Sequence, residues 1–171
     1  MKIRVLLKLL SVAIFILIMT GCGSSGQTSF NPEEFQKISD LVNSREFIIE
    51  NEWANPIQGR QINLIDNPNH IIFKGDSVNV HLPYYGIRHT GGGYNREGGI
   101  KFKGVAREVK IEENTNRRLI DLSFDGNQNG EVVEFDIRIF ASGKTTTTVN
   151  SSQRSMISYQ GELQAYEKEK N

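Results

Sequence analysis

Apolar and polar residues alternate along most of the chain, a pattern that predicts β-strands with one buried face. After residue 45 the apolar positions recur at every second residue, in short runs separated by turn residues. The clearest runs are Phe47/Ile49/Trp53, Val78/Val80/Leu82, Ile100/Phe102, Val109/Ile111, Ile120/Leu122/Phe124, Val133/Phe135/Ile137/Ile139 and Ile157/Tyr159. Because no helical period lies between the runs, we expect an antiparallel β-sandwich or open β-barrel of about eight strands, with one N-terminal α-helix.

The N-terminal helix is predicted from a start signal and a change of period. Asn31 suits the cap of a helix, Pro32 its first position and Glu34 its third. Four apolar residues then follow at helical spacing: Phe35, Ile38, Leu41 and Val42. Residues 32–44 should therefore form an amphipathic helix that lies on the sheet.

Turn residues divide the predicted strands. Strands at 70–74 and 77–82 are expected to form a hairpin across Gly75-Asp76. The threonines at 145–148 fit a strand with a polar outer face. Such turns between short strands favour an antiparallel arrangement over a parallel one.

The start of the chain has the three parts of a secretory signal peptide. Basic residues come first, an apolar stretch covers residues 5–19, and the small residues Thr20 and Gly21 follow. The apolar stretch is shorter than the ~20 residues that span a bilayer as a helix. We therefore expect residues 1–21 to be a signal peptide that is removed.

Cys22 follows the small residues directly. Thr20-Gly21-Cys22 resembles the lipobox of bacterial lipoproteins, although Met19 stands where leucine is usual. The resemblance implies that Cys22 carries acyl chains such as palmitate. Two or three such chains hold a protein stably on a membrane, at ~0.8 kcal/mol per buried CH₂. The alternative is an unmodified cysteine after an ordinary signal peptide.

Length and cysteine content indicate one domain without disulfides. Cys22 is the only cysteine among 171 residues, so an internal disulfide has no second partner. We expect a flexible tether with the lipidated cysteine at 22–30, a single β-rich domain at 31–165 and a frayed tail at 166–171. A domain of this size buries an adequate core without cross-links.

The charge balance argues against one class of partner. Cleavage removes Lys2, Arg4 and Lys8, which leaves 20 − 3 = 17 basic residues against 20 acidic ones. A mildly acidic domain with scattered basic residues is not typical of nucleic-acid binding. We expect attachment to a membrane through the lipid anchor, no cofactor, and an envelope protein, a glycan or a small ligand as the partner.

Four stretches, in this order along the chain, are similar to a known family. They are 75–78 (GDSV), 82–86 (LPYYG), 98–102 (GGIKF) and 150–161 (NSSQRSMISYQG). The chain thereby resembles a family of uncharacterised lipoproteins from Bacteroides-type bacteria, known as domain of unknown function number four two five one. The resemblance covers about residues 45–163. It implies a β-rich envelope protein and supplies no catalytic residues.

The tether carries a further resemblance that bears on location. Lipoproteins of such bacteria that reach the cell surface generally have a short acidic run soon after the cysteine. Residues 23–29 contain no acid, and the first acids, Glu33 and Glu34, lie inside the predicted helix. We therefore expect a protein that faces the periplasm, anchored in the outer membrane.

Ser77 allows two chemical hypotheses beside a plain turn. A serine at a tight turn is typical of an esterase nucleophile, but such enzymes need a late histidine base, and His89 is the last histidine. Asp76-Ser77-Val78 also resembles the acceptor triplet for protein O-glycosylation in Bacteroides-type bacteria. The simplest interpretation is a hairpin turn that uses Gly and Asp for their backbone freedom.

Other groups of polar residues are interpreted as surface positions. His70, His81 and His89 could form a zinc triad, but the strand pattern turns His81 away from the core, and surface histidines are preferred. Carboxylates such as Glu112 and Glu113 lie on expected solvated strand faces and receive no role in glycoside hydrolysis. With no catalytic constellation or metal site visible, we expect a protein that is not an enzyme.

The loop at 84–99 is the strongest candidate for function. Its candidate ligand-binding residues are Tyr84, Tyr85, Arg88, His89, Tyr94 and Arg96. Rings provide stacking area, Arg binds anions or carboxylates, and a long loop in a compact β-domain usually has a role. Three alternatives stay open: the tyrosines only pack over an open end of the sheet, a free sheet edge binds a protein, or a small barrel carries a hydrophobic ligand.

Overall fold

The computed structural model describes residues 31–89, 98–128 and 130–167. The predicted signal peptide and tether, with Cys22, lie outside these residues, as do Tyr94 and Arg96. The described chain is mostly β, with one helix and ten strands, and every strand pair is antiparallel. The predicted fold class is confirmed, with ten strands where about eight were expected.

The helix and strands follow the predicted periods closely. The helix α1 spans Pro32–Ser44. The strands are β1 Glu46–Pro56, β2 Ile62–Asn63, β3 His70–Lys74, β4 Ser77–Leu82, β5 Ile100–Val105, β6 Arg107–Asn114, β7 Leu119–Gln128, β8 Glu131–Phe140, β9 Lys144–Ser151 and β10 Ile157–Ala165. The helix at 32–44 and the hairpin at 70–74 and 77–82 are therefore confirmed.

The strands form one sheet in the order β5-β4-β3-β1-β10-β9-β8-β7-β6, and β2 pairs with β1 outside this path. β5 and β6 lie at opposite ends of that order, yet only Ala106 separates them in sequence. One bent stretch of chain therefore pairs first with β4 and then with β7. At the bend, Glu108 has φ 52° and the register shifts between Arg107 and Lys110, as at a β-bulge. The sheet is nearly closed into a barrel.

Aromatic rings cross the inside of this sheet. Phe47 stacks on Phe73 with ring centroids 4.7 Å apart. Phe73 meets the edge of Phe124 at 5.1 Å, and Phe124 stacks on Phe135 at 4.6 Å. These rings connect β1 and β3 with β7 and β8, and none is more than 1% exposed. Protein side chains therefore fill this part of the interior.

The ends of α1 are capped as its sequence predicts. The Asn31 side chain accepts a hydrogen bond from the Glu33 backbone N–H at 3.0 Å, and Pro32 occupies the first turn. Arg45 adopts the left-handed conformation, φ 53°, and its backbone N–H bonds to the Val42 carbonyl oxygen. The chain therefore leaves the helix in one tight step and enters β1.

α1 covers one end of the sheet, which we call the helix end: α1, the start of β1, the β3–β4 turn and the β8–β9 turn. Phe35 and Val42 are buried in the core. The Ser39 hydroxyl and the Asn43 amide both donate to the Glu113 carboxylate of β6. The apolar face of the helix packs on the sheet, and this polar contact fixes its position.

A β-bulge changes which residues of β1 face the core. The register with β10 shifts between Asn51 and Trp53, so Ala54 is buried and Trp53 is partly exposed. The prediction that Trp53 shares the buried face of the first half of β1 is therefore wrong. Opposite the bulge, a Cβ on Gly161 would lie 2.1 Å from the Glu50 carbonyl oxygen. Only glycine fits there.

The opposite end of the sheet is built from connections between strands. We call it the loop end: residues 57–58 after β1, the described parts of the β4–β5 connection, the β7–β8 turn and residues 152–156 before β10. The core reaches this end through Tyr159, whose hydroxyl donates to the Pro83 carbonyl oxygen at 2.7 Å. The predicted 84–99 loop begins directly after this contact.

Candidate functional site

The start of the predicted loop is fastened to the segment that precedes β10. The His89 backbone N–H donates to the Gln153 carbonyl oxygen at 2.8 Å, and the Ser155 N–H donates to the Ile87 carbonyl oxygen at 2.9 Å. Arg88 and Arg154 form the antiparallel bridge between these bonds. Residues 87–89 of the β4–β5 connection thus pair with residues 153–155 as a short antiparallel strand would.

Tyr84 holds the turn that follows it. Its hydroxyl donates to the Ile87 carbonyl oxygen at 2.8 Å and lies 2.9 Å from the Ser155 hydroxyl. A Cβ on Gly86 would lie 2.4 Å from the Tyr84 hydroxyl oxygen and 2.8 Å from the Ser155 hydroxyl oxygen. The glycine therefore allows the backbone to pass close to this hydrogen-bonded pair.

Arg154 joins the two ends of the 84–99 loop. Its guanidinium lies over the Tyr84 ring, 5.2 Å from the centroid, at the start of the loop. The same group donates to the Gly99 carbonyl oxygen at 2.9 Å, at the end of the loop. Arg154 is 8% exposed, so this connection lies away from solvent. One side chain thus contacts both described ends of the loop, Tyr84 and Gly99.

Glu131 neutralises the buried guanidinium. Its two carboxylate oxygens accept from Arg154 Nε at 2.6 Å and Nη2 at 2.9 Å, the paired geometry typical of strong ion pairs. Burial alone would raise the pKa of this carboxyl, but hydrogen bonds from Arg154 and Ser151 and the charges of Arg154 and Arg88 outweigh it. The pKa of Glu131 is therefore lowered, and the carboxylate stays ionised at neutral pH.

An open cleft lies beside this fastened segment. Its volume is about 430 Å³, and it is lined by Ile57, Gln58, Tyr85, Gly86, Ile87, His89 and Ser155. Three of its large side chains are strongly exposed: Ile57 at 61%, Tyr85 at 36% and Ile87 at 53%. We call these residues the loop-end cleft. Apolar side chains gathered in a concavity beside a few polar groups are typical of binding sites.

The residues predicted for the loop divide into two roles. Tyr85 and His89 line the cleft. Tyr84 instead packs against Arg154 and bonds through its hydroxyl to the Ile87 and Ser155 backbone, and the Arg88 charge acts on Glu131. The predicted Tyr94 and Arg96 lie outside the described residues.

Sequence reasoning missed several residues of this region, among them Ser155, which lines the cleft, and Glu131, which pairs with Arg154. Ile57 and Gln58 follow the end of β1, and Arg154 lies in the block 150–161 that carries the family resemblance. The block marked a region of interest without assigning a role to its arginine. Nothing local at Ile57 indicated a site, because the cleft forms only when β1 and β10 pair.

The three histidines do not come together. His70 and His81 are directly opposite each other on β3 and β4, with ring centroids 5.9 Å apart, whereas His89 lines the loop-end cleft. Within residues 31–89, 98–128 and 130–167, no group of three or more His, Cys, Asp or Glu side chains could hold a metal ion.

Ser77 is exposed at the first position of β4, after the predicted Gly75-Asp76 turn. Asp76 forms an ion pair with Arg45 at 2.6 Å and is 78% exposed. Exposure is necessary for O-glycosylation of Ser77 but does not demonstrate it. The modification stays a prediction, which an unshifted mass of the Ser77 peptide from the native host would contradict.

Comparison with known proteins places the chain in a family. The model of the domain of unknown function DUF4251 matches residues 31–163. The chain belongs to the DUF4251 family. A crystal structure of a DUF4251 family protein from Bacteroides eggerthii is similar at 16% sequence identity, with a TM-score of 0.59 over 78% of this chain and 88% of that chain. The family recognised from the four sequence blocks is confirmed, and the likeness between the two structures concerns the fold.

No curated protein sequence matches this member of the DUF4251 family. Among the residues that the structure describes, no helix is long and apolar enough to cross a membrane.

Proposed function

We propose that this DUF4251 protein is a lipid-anchored protein of the cell envelope that binds a partner through its loop-end cleft and catalyses no reaction. The observation that carries the proposal is the exposure of Ile57, Tyr85 and Ile87 around one concavity. An exposed apolar group of this kind costs solubility and is normally retained for an interaction. The partner is an envelope protein, a glycan or a small ligand with an apolar or aromatic part.

The fastening of the loop supports binding over a merely structural loop. Hydrogen bonds from Tyr84 and to Ser155 hold residues 84–87, so Tyr85 and Ile87 point outward on a fixed backbone. A structural loop would turn these side chains into the core instead. Rigid aromatic and aliphatic side chains on a held backbone are efficient anchors for a ligand.

The polar residues of the cleft support a role without catalysis. Ser155 and His89 both line it. The Ser155 hydroxyl, however, lies 2.9 Å from the Tyr84 hydroxyl and accepts from the Ile87 backbone N–H at 3.1 Å. This hydroxyl holds the loop in place, whereas a nucleophile would need a hydrogen bond to a base.

A carrier of a hydrophobic ligand is the less favoured alternative. Such a carrier needs an enclosed apolar space inside the sheet. The stacked rings of Phe47, Phe73, Phe124 and Phe135 occupy the path between the two sides of the sheet. The open cleft at the loop end therefore suits binding better than the interior does.

A free sheet edge is the other alternative. β6 is largely exposed and lies at one end of the strand order. It carries charged side chains such as Arg107, Lys110 and Glu112, and a bulge at Glu108. Charges and bulges are the usual protection of an edge against pairing with another chain. The edge is thus a weaker candidate than the cleft.

Photo-cross-linking in the native host tests the cleft. A photoreactive phenylalanine analogue is placed at Tyr85, and as a control at Phe140, which lies at the helix end and is 40% exposed against 36% for Tyr85. We expect a discrete adduct from position 85 and none from position 140. Equal labelling from both positions would contradict a specific site.

A second variant ties the adduct to the apolar side chains. I57S/I87S should remove the adduct formed from position 85, because it removes the apolar lining. V105S is the matched control, since Val105 is 66% exposed on β5 and lies outside the cleft. An adduct that survives I57S/I87S would show that the cleft does not bind the partner.

The anchor is tested separately at Cys22. We expect the C22S protein to move from the detergent phase to the aqueous phase and to change its gel mobility, because the acyl chains supply the membrane affinity. The wild-type protein should fractionate with the outer membrane and resist protease added to intact cells. Unchanged partitioning of C22S would refute the lipid anchor.

A further inference from the structure

A row of directly paired side chains crosses the outer face of the sheet, and each member lies opposite the next in the strand register. We call this set the outer row: Asn63, Trp53, Gln160, Thr146, Arg138 and Asp121. Neighbours of these residues along the strands, such as Ala54, Tyr159 and Ile137, are buried. The outer row therefore lies on the face of the sheet opposite the core. It shares no residue with the loop-end cleft.

Trp53 is the apolar member of the row and the only tryptophan of the chain. The β-bulge in β1 places it among polar side chains instead of in the core. This bulge also requires glycine at position 161 of the partner strand. Bulges are frequently retained where they turn a side chain toward a functional surface. A partly exposed indole in such a position offers a flat apolar face to a ligand.

Amide side chains lie beside Trp53. Asn63 is directly opposite it on β2, and Gln160 is directly opposite it on β10. Gln61 Nε2 donates to Gln160 Oε1 at 3.4 Å, which orients the Gln160 amide. An amide carries two donor hydrogens and an oxygen with two lone pairs, so each of these side chains can both donate to and accept from a hydroxyl group.

The far part of the outer row lines a depression of about 370 Å³, to which Thr146, Arg138 and Asp121 contribute. Arg138 Nε donates to one carboxylate oxygen of Asp121 at 3.2 Å, and both side chains are about half exposed. A guanidinium has five N–H donors and a carboxylate has two acceptor oxygens. This ion pair can therefore bond to a ligand while it stays intact.

The charges around the depression nearly balance. Two basic side chains, Lys110 and Arg138, lie among three acidic ones, Glu112, Asp121 and Asp136. Mixed charges favour neither a phosphate nor a metal cation. A neutral ligand with many hydroxyl groups, in contrast, can donate to the carboxylates and accept from the guanidinium. A sugar has such hydroxyl groups and also an apolar ring face that fits an indole.

We propose that the outer row binds a neutral oligosaccharide, with one sugar ring stacked on Trp53 and further rings hydrogen-bonded along the row as far as Asp121. Four strand spacings, about 19 Å, separate these two residues in the strand order. The ligand is therefore a chain of several sugars and not a single one. The paired strands hold the row in place before the ligand arrives, which lowers the entropy lost on binding.

The fluorescence of Trp53 tests the proposal, because no other tryptophan contributes to it. The full-length protein in detergent is titrated with cellotetraose, maltotetraose and chitotetraose, and with glucose and N-acetylglucosamine as the single sugars. We expect a saturable change with at least one tetrasaccharide and binding about tenfold weaker with its single sugar, which reaches only part of the row. No saturable change with any tetrasaccharide would overturn the proposal, as would equal affinity for the single sugar.

A pair of variants on one strand separates the outer row from the rest of the outer face. Q160A should weaken the affinity for the tetrasaccharide by about fivefold, roughly the value of one hydrogen bond. Q164A is the matched control, because Gln164 is also exposed on β10 but lies outside the row. An equal affinity in Q160A and Q164A would show that the row is not the site.

Replacement of the ring tests the stacking, with affinity measured by calorimetry. W53A should weaken binding by about tenfold, whereas W53Y keeps an aromatic face and should stay near wild type. Equal losses in W53A and W53Y would contradict stacking on Trp53. Thermal unfolding of each variant, which we expect to be unchanged, excludes misfolding as the cause.

The cleft variant I57S/I87S separates this site from the proposed function. It should bind the tetrasaccharide like wild type, because both isoleucines lie outside the outer row. If I57S/I87S loses binding while Q160A retains it, the sugar occupies the loop-end cleft and this proposal is wrong. The cross-link at Tyr85 concerns the cleft alone, so the two proposals can fail separately.

Discussion

The two ends of the sheet are closed by different physics. At the helix end, Phe35 and Val42 of one amphipathic helix are buried on the core. At the loop end, Arg154 forms an ion pair with Glu131, 23 residues away in the sequence. It also donates a hydrogen bond to the carbonyl oxygen of Gly99, 55 residues away. Apolar packing tolerates approximate fit, whereas a buried ion pair is stable only in one geometry. The geometry of the Arg154–Glu131 contact is therefore more demanding than that of the apolar face of α1.

The largest expected effect comes from removing the cation of the loop end. R154A leaves the partly buried Glu131 carboxylate without its partner and the Gly99 carbonyl without its donor, which should lower the free energy of unfolding by about 3–4 kcal/mol. Urea denaturation measures the change. R138A is the control, because Arg138 pairs with Asp121 with both side chains about half exposed and should cost less than about 1 kcal/mol. A similar loss of unfolding free energy in R154A and R138A would show that the Arg154–Glu131 pair contributes no more than an exposed ion pair.

Removing an aromatic ring should open the helix end alone. F35A deletes a buried side chain and should cost about 3 kcal/mol. Hydrogen exchange should accelerate in α1 but not at the His89 and Ser155 amides that fasten the loop. F140A removes a 40% exposed ring at the same end and should have little effect. Faster exchange at the loop end in F35A would show that the two ends are coupled.

A smaller effect is expected at the start of α1. N31A removes the side chain that accepts from the Glu33 N–H and should lower the free energy of unfolding by about 1 kcal/mol. N31D, which preserves the acceptor, serves as the control and should stay near wild type. If N31A and N31D unfold alike, the cap adds nothing to the helix end.

The smallest expected effect is a pH dependence confined to the loop end. The folded pKa of Glu131 lies below its usual value of 4.5. Its contribution to stability is therefore complete above that value and is lost as the pH falls through the folded pKa. Unfolding free energies measured from pH 6 to 3 should decline less steeply in E131Q than in wild type. If the unfolding free energies of E131Q and wild type fall equally with pH, the Glu131 carboxylate does not contribute to the pH dependence of stability.

Local signals were sufficient for the elements but only partly for the site. α1 begins and ends where its cap and apolar spacing predict, because those signals act within one or two turns. Tyr85 and His89 were found because the composition of the loop is unusual. Tyr84 was grouped with them, yet its hydroxyl is used within the fold. The composition of a loop does not show which tyrosine faces solvent, as Tyr85 does, and which packs within the fold, as Tyr84 does.

The sequence alone determined the strand and helix periods, the family and the region of the chain that forms the candidate site. Tertiary structure decided which faces and partners those elements acquire. The bulge in β1 turned Trp53 outward, and Thr145 and Thr147 became part of the interior, at 2% and 0% exposure. Arg154 gained its role only when the fold brought it against Tyr84, Gly99 and Glu131. The period of apolar residues depends only on neighbours in the chain, whereas strand register and burial depend on residues that are far apart in the sequence.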